Sequence, residues 1–294
     1  MSDQPNTLQH QSRARRFRGT VVGRLLRHPT FIVGGFGIAL VVIASLIGAV
    51  VTPYEVNAIS VRTLLKAPSA AHWFGTDHLG RDVATRVSHG LFISIIVGTS
   101  VVAMSTLAGA ALGALAGYYR LLDGPIMRTI DALLAFPALL LALGIAAALG
   151  PSMFNVILAL SITYTPETAR IVRASILVLR EQEYIDASRS FGARDRWIIG
   201  RHLLPNSLSP LLVQVTAIFA YSVLAEAALS FLGVGLPPPT PSWGAIISDG
   251  RSFIVEAWWI CLFPGLAITI TVLSLNLVGD ALRDVLDPRI KSAR

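Results

Sequence analysis

Residues 183–205 read EYIDASRSFGARDRWIIGRHLLP, a polar, arginine-rich stretch between two long apolar segments. Its charges nearly balance: Arg180, Arg189, Arg194, Arg196 and Arg201 stand against Glu181, Glu183, Asp186 and Asp195. Tyr184, Ala187, Ser188 and Phe191 recur at helical spacing, which puts them on one face of a short helix. Gly192 follows, and glycine readily takes the left-handed conformation that ends a helix. Asp195 is placed to cap a second short helix starting near Arg196, and Pro205 to close it. The expected product is a bent two-helix projection with Phe191 as its apolar knob. A helix lying on lipid headgroups carries a net basic face, so the mixed charges here suit a protein partner better.

The flanking segments place the chain in a bilayer. Hydrophobic residues make up 53% of it and charged residues only 14%, where a soluble domain has about 25% charged. Mean hydropathy is +0.65. A spanning helix needs about 20 mostly apolar residues. Six stretches qualify: 31–51, 91–118, 130–149 with Asp131, 154–179 with Glu167, Arg170 and Arg173, 208–232 with Glu226, and 257–278. The expectation is an all-α membrane protein with six transmembrane helices. Gly98, Gly109, Gly113 and Gly117 suit close backbone packing of the second span. The run starting at Phe31 is longer than a signal-peptide core of about 7–15 residues and reads as a retained span.

Charge sets the orientation. With alternating spans and a cytosolic N-terminus, only Arg62, Lys66, Arg81, Arg86 and Arg251 fall outside, leaving nineteen of the 24 basic residues inside. The positive-inside rule therefore gives N-in, C-in. The organisation follows: a cytosolic tail at 1–30, the first span at 31–51, an extracytoplasmic segment at 52–88, a five-helix core at 89–280 and a cytosolic tail at 281–294. The core holds the cytosolic loop 180–206 and an outer loop 233–256. The net charge of +7 comes from residues bordering spans, so it does not point to nucleic acid.

The chain carries no catalytic constellation. The phosphate-binding pattern G-x-x-x-x-G-K-[ST] is absent. GTDHLGRD at 75–82 lacks its Lys-Ser/Thr and reads as a turn leading into a helix that Asp82 caps. The six histidines are scattered. His72 and His78 share one outer stretch, but without a further ligand they make a weak metal site. Cys261 is the sole cysteine, so no intrachain disulfide forms. Ionisable groups within spans are costly and mark functional candidates. Asp131 and Asp280, near cytosolic ends, read as pairing groups. Glu167, with Arg170 three residues on, is either half of a local pair or part of a translocation path. Glu226 is either a structural hydrogen-bonding group or a path residue. Four prolines within 237–241 fix an extended outer conformation. Trp243, Trp258 and Trp259 are expected at the outer interface.

Several segments together resemble one family. Asp186-Ala187-Ser188, Gly192 and His202-Leu203-Leu204-Pro205 keep the spacing of the Glu-Ala-Ala…Gly…Ile-x-Leu-Pro loop of ABC-importer permeases, with Asp for Glu, Ser for Ala and His for Ile. HWFGTDHLGRDV (72–83), LGALAGYY (112–119), IDALLAFPALLLAL (130–143), LAEAALSFLG (224–233), PPPTPSWG (237–244) and FPGLAITITVLSLNLVGDALRDVLDPR (263–289) occur in the family's order. The chain is similar to the C-type permease subunit of dipeptide, oligopeptide and nickel importers. The resemblance implies a type I importer permease fold in the bacterial cytoplasmic membrane. It implies four partners: a homologous second permease, two ATPase subunits carrying ATP and magnesium, and an extracytoplasmic substrate-binding protein. Glu183, Tyr184, Asp186, Ala187, Ser188, Phe191, Gly192, Ala193 and Pro205 would form the ATPase-coupling loop. Pro239 and Trp243 would lie where the binding protein docks. No cofactor or metal is expected on this chain. Two other readings remain: an ion-coupled secondary transporter using Glu226 and Asp131, and a membrane scaffold or receptor. The docking loop and the lack of an internal repeat weigh against the first, and the shortness of the polar loops against the second.

Overall fold

The computed structural model describes residues 21–286. The expected cytosolic placement of Arg13, Arg15, Arg16, Arg18, Arg289, Lys291 and Arg294 lies outside the described residues. One helical turn, Val21–Leu25, leads into α1, Pro29–Val51. There follow α2 (Val83–Tyr118), α3 (Arg120–Leu134), α4 (Ala138–Leu149) and α5 (Met153–Leu179). A surface pair, α6 (Glu183–Ser190) and α7 (Asp195–Ile198), precedes α8 (Leu208–Phe231), α9 (Trp243–Gly250) and α10 (Trp259–Leu286). Among the described residues the only β pairing is an isolated bridge between Thr76 and Asp82.

Helix α2 starts at Val83, eight residues before the expected Leu91, because Asp82 caps it there. The Asp82 Oδ2 accepts the Thr85 N–H at 2.8 Å and thereby satisfies one of the helix's orphan donors. Its other oxygen, Oδ1, lies 2.9 Å from His72 Nδ1. Residues 83–88, expected in the outer segment, are therefore helical.

The third expected span, 130–149, is not one straight helix. It breaks at 135–137, and α3 and α4 diverge by 92°. Pro137 is the cause: proline disfavours helical geometry in the residue before it and has no N–H to continue the ladder. It serves instead as the residue that opens α4. Among the described residues α1, α2, α8 and α10 are long and apolar enough to cross a membrane, and the bent α3–α4 pair adds a fifth crossing if it counts as one.

Helix α5 packs against α2 along a glycine seam. A Cβ on Gly113 would lie 2.4 Å from the Ala169 carbonyl oxygen, and one on Gly109 2.5 Å from Thr168 Cβ. Only hydrogen fits at that approach, which is the backbone-to-backbone packing the small residues predict. Apolar side chains from α2, α4, α5 and α8, among them Val101, Ala142, Leu160, Ile218 and Leu229, fill one core.

The segment before α2 is tied down by buried charge. Arg81 Nε meets Asp77 at 2.6 Å, and its Nη2 meets Asp249 of α9 at 3.0 Å. Arg86, 3% exposed, lies within 4 Å of the same two acids. Tryptophans complete the seal. Trp243 is fully buried and donates its indole N–H to the Val87 carbonyl at 2.9 Å. Trp259, also buried, donates to the Thr76 carbonyl at 3.1 Å. Both correct the expected interfacial placement, since each indole N–H finds a backbone partner inside the fold. Trp258 alone of the three is exposed.

Candidate functional site

The projection at 183–206 is built as a presented surface on a buried anchor. Helix α6 ends in a Schellman motif. The Gly192 N–H bonds the Arg189 carbonyl at 2.9 Å, and the Ala193 N–H bonds the Ser188 carbonyl at 3.1 Å. Gly192 has φ +77°, the left-handed value such a cap requires. Ile185, Ile198 and Leu203 are fully buried and pack with Val172 and Ile176 of α5 and Leu211 of α8. What faces outward is aromatic. Phe191 is 91% exposed, Trp197 50% and Tyr184 41%. The Trp197 and Tyr184 rings lie 4.7 and 5.9 Å from the His202 ring.

The other expected loop residues fall in the same surface. Glu183 and Asp186 occupy the first turn of α6, where their charge complements the helix dipole. Asp186 accepts from Arg189 at 3.3 Å, and the Ser188 hydroxyl donates to the Tyr184 carbonyl at 2.7 Å. Ala187 is exposed and Ala193 half-buried. Trp197 was not singled out in sequence, although it lies five residues after Gly192 in a polar loop, which is itself a signal of presentation.

Two expectations about this loop are corrected. Asp195 does not cap α7: the N-cap is Arg194, without a side-chain bond, and Asp195 is the first helical residue. Its Oδ1 instead accepts the Tyr118 hydroxyl at 2.7 Å. Desolvation and the same carboxylate raise the neighbouring Tyr119 phenol above its ordinary value. Pro205 does not close the segment either. A π-turn, Ile199–Leu203, precedes it, and Leu204–Asn206 stays helical up to Ser207. The wide turn gives the proline ring room against the preceding carbonyls. The loop is also pinned at its start, where Arg180 Nη1 donates to the Gly117 carbonyl at 2.9 Å.

The charges of α5 pair across helices. Arg173 grips Asp123 of α3 in a two-point bond, Nε–Oδ1 2.5 Å and Nη2–Oδ2 2.7 Å. Arg170 Nη2 meets Asp131 of α3 at 2.7 Å, which bears out Asp131 as a pairing group. The expected Glu167–Arg170 pair does not form; Glu167 accepts from the Gln214 amide of α8 at 3.1 Å. Helix geometry permits the local pair, but Arg170 is already committed to Asp131. Glu226 is fully buried, with Oε1 accepting the Ser230 hydroxyl at 2.7 Å. The Ser230 oxygen in turn accepts the Leu236 N–H at 3.3 Å. Asp280 is exposed. In the segment 233–256 Pro239 is exposed, while Trp243 is fully buried. Among the described residues no three His, Cys, Asp or Glu side chains converge as a metal site.

These features define a multi-pass helical membrane protein with an exposed aromatic projection held on buried anchors. Residues 106–292 match the family described as binding-protein-dependent transport system inner membrane component, and the chain belongs to that family. It is a transport permease component of the inner membrane and not itself an enzyme. A Brucella abortus protein provisionally named a peptide transport system permease is 54% identical over 268 residues, 91% of this chain and 90% of that one. A dipeptide transport system permease of Alkalihalophilus pseudofirmus is 48% identical over 78% of this chain and 75% of its own length. A glutathione transport system permease of Pectobacterium atrosepticum is 42% identical over 92% and 90%.

Proposed function

We propose that this chain is one of two membrane-spanning subunits of an ATP-driven importer of di- or oligopeptides, or of a related small solute such as a nickel chelate. The observation that carries the reading is the 183–206 projection. Phe191, Tyr184 and Trp197 stand outward from fully buried anchors, and exposed aromatics on a rigid support are what interface hot spots are made of. In this reading they seat in an ATPase subunit. Two such subunits hold ATP and magnesium, and this chain binds no cofactor. A homologous permease completes the pathway, and a binding protein docks on the outer face beside Pro239. Peptides are the favoured cargo because the relatives' names specify peptides, dipeptides and glutathione.

The topology is six crossings with both termini in the cytosol. The bent α3–α4 pair makes the third crossing. Helix α5 makes the fourth, since its 27 residues rise about 40 Å and its two arginines are neutralised by acids of α3. The split of basic residues supports the orientation. When the ATPases close on ATP, they push the projection, and the helices attached to it rock around a central path, a two-state rearrangement coupled to a distant site.

Reconstitution tests the reading. Both permeases, the ATPases and the loaded binding protein, in proteoliposomes, should import radiolabelled dialanine only with ATP. Uptake driven by a proton gradient without ATP would overturn it in favour of the ion-coupled alternative. Reporter fusions after Leu65 should read outside and fusions after Arg194 inside.

A further inference from the structure

Glu167 stands out because it pairs with no cation among the described residues. The two guanidinium groups that follow it on α5 are committed elsewhere, Arg170 to Asp131 at 2.7 Å and Arg173 to Asp123. Its hydrogen bond comes from the neutral Gln214 amide at 3.1 Å. A carboxylate within a spanning helix is costly and marks function when its charge is not locally compensated.

Glu167 also borders a cleft. The space, about 360 Å³, is lined by Leu139 of α4, by Tyr164 and Glu167 of α5, and by Tyr221, Leu224 and Ala228 of α8. That is the low end of the range for small-molecule sites. Its walls are apolar and aromatic, and the Tyr164 and Tyr221 rings stack with centroids 6.4 Å apart. The negative faces of phenol rings attract cations, most strongly where water is excluded. The donor set selects the kind of cation. One carboxylate with no second acid, thiolate or imidazole in the cleft lining is too poor in ligands for a divalent metal. It does suit a monovalent organic ammonium, which needs one counter-charge and soft walls.

We infer that Glu167 recognises the free α-ammonium group of a peptide in transit, with Tyr164 and Tyr221 as the aromatic walls. Gln214 satisfies the carboxylate between substrates and yields it to the incoming cation. This rests on the importer reading of "Proposed function" and adds to it a chemical preference inside the membrane path, separate from that of the binding protein.

The test uses the assembled complex in proteoliposomes with saturating loaded binding protein, reading dialanine imported per ATP hydrolysed. Glu167→Gln keeps the shape and removes the charge; it should lower that ratio by about tenfold, the scale expected for the loss of one charge-assisted hydrogen bond. Glu167→Asp, which keeps the carboxylate, and Gln214→Ala, which breaks the same interhelix bond but spares the charge, should each stay within about threefold of the parent, as expected for removal of a single neutral hydrogen bond or a small displacement. A merely structural Glu167–Gln214 bond predicts the reverse for Gln214→Ala. A second arm leaves Glu167 intact and places a probe in the cleft, Leu139→Cys on a Cys261→Ala background. Dialanine should slow its labelling by a thiol reagent, and N-acetyl-dialanine, which lacks the ammonium, should not. Equal protection by both peptides, or a parental ratio for Glu167→Gln, overturns the inference while leaving the importer reading standing. A parent complex that imports no peptide at all removes that reading, and this inference falls with it.

Discussion

The hydroxyl of Tyr118, the last residue of α2, donates to Asp195, the first residue of α7, across 2.7 Å. The Arg189 guanidinium sits over the same tyrosine ring at 5.4 Å. One side chain thus joins the long helix α2 to both halves of the projection. Tyr118→Phe should leave insertion and ATPase co-purification intact, because the aromatic anchors are untouched. Losing one hydrogen bond to a carboxylate loosens the joint by about 1.5–3 kcal/mol at most. The expected readout is a severalfold drop in peptide imported per ATP hydrolysed at a near-parental rate of hydrolysis. Unchanged coupling would show that the joint transmits nothing.

Phe191 and Gly192 separate presentation from shape. Phe191 is 91% exposed, so Phe191→Ala should not alter thermal stability. It should weaken ATPase co-purification strongly, as truncating an aromatic hot spot costs about 2–4 kcal/mol. Around Gly192 there is open space for a side chain, so its constraint is the backbone angle of +77° alone. Gly192→Val should then cost about 1–2 kcal/mol in the left-handed conformation, whereas Gly192→Asn should be nearly neutral. If both Phe191→Ala and Gly192→Val at parental expression couple normally, the projection is not the docking element.

Glu226 behaves as the core of a short relay, through Ser230 to the Leu236 N–H. Glu226→Gln keeps the accepting oxygen and should preserve assembly, with transport within about tenfold of the parent, the cost of altering one hydrogen bond. Glu226→Ala strands the Ser230 hydroxyl and should lower the melting temperature in detergent by several degrees, corresponding to about 1–3 kcal/mol. Abolished transport in Glu226→Gln with normal assembly and normal ATPase binding would make it a path residue.

Trp243 holds α9 to α2 by its bond to Val87, and the Gly90 position leaves its ring no slack: a Cβ there would meet Trp243 Cδ1 at 2.6 Å. Trp243→Phe should therefore destabilise by about 1–3 kcal/mol through the lost indole hydrogen bond and the reduced volume. A circular-dichroism melt in detergent measures it. A parental melt combined with loss of binding-protein docking would show that Trp243 acts at the surface after all.

What could be read from sequence was local. The cap at Gly192, the cap at Asp82 and the small-residue seam of α2 each depend on neighbours within a few residues or on one residue type, and each is present. What sequence did not announce depends on partners far along the chain. Arg170 and Asp131 are 39 positions apart, Gln214 and Glu167 47, Arg173 and Asp123 50. No spacing rule reveals such pairs, so the helical-spacing partner Glu167–Arg170 was the natural and incorrect choice. Trp243 and Trp259 follow the same logic: their carbonyl partners lie 156 and 183 residues earlier. The break in the third span is different, because Pro137 was visible in the sequence and outweighed the apolar run around it.

The glycine seam between α2 and α5 has a kinematic consequence. Where backbones touch, there is no layer of side chains to shear, so the pair moves as one stiff beam. Its Tyr118 end carries the Tyr118–Asp195 joint and the Arg180–Gly117 bond. The 36 residues of α2 make that beam about 54 Å long. Tilting it by ~5° carries the far end through ~5 Å, close to one helical pitch. A stroke of small angle at the projection would reach the Val83 end as a displacement large enough to part packed side chains, with no bending needed in between.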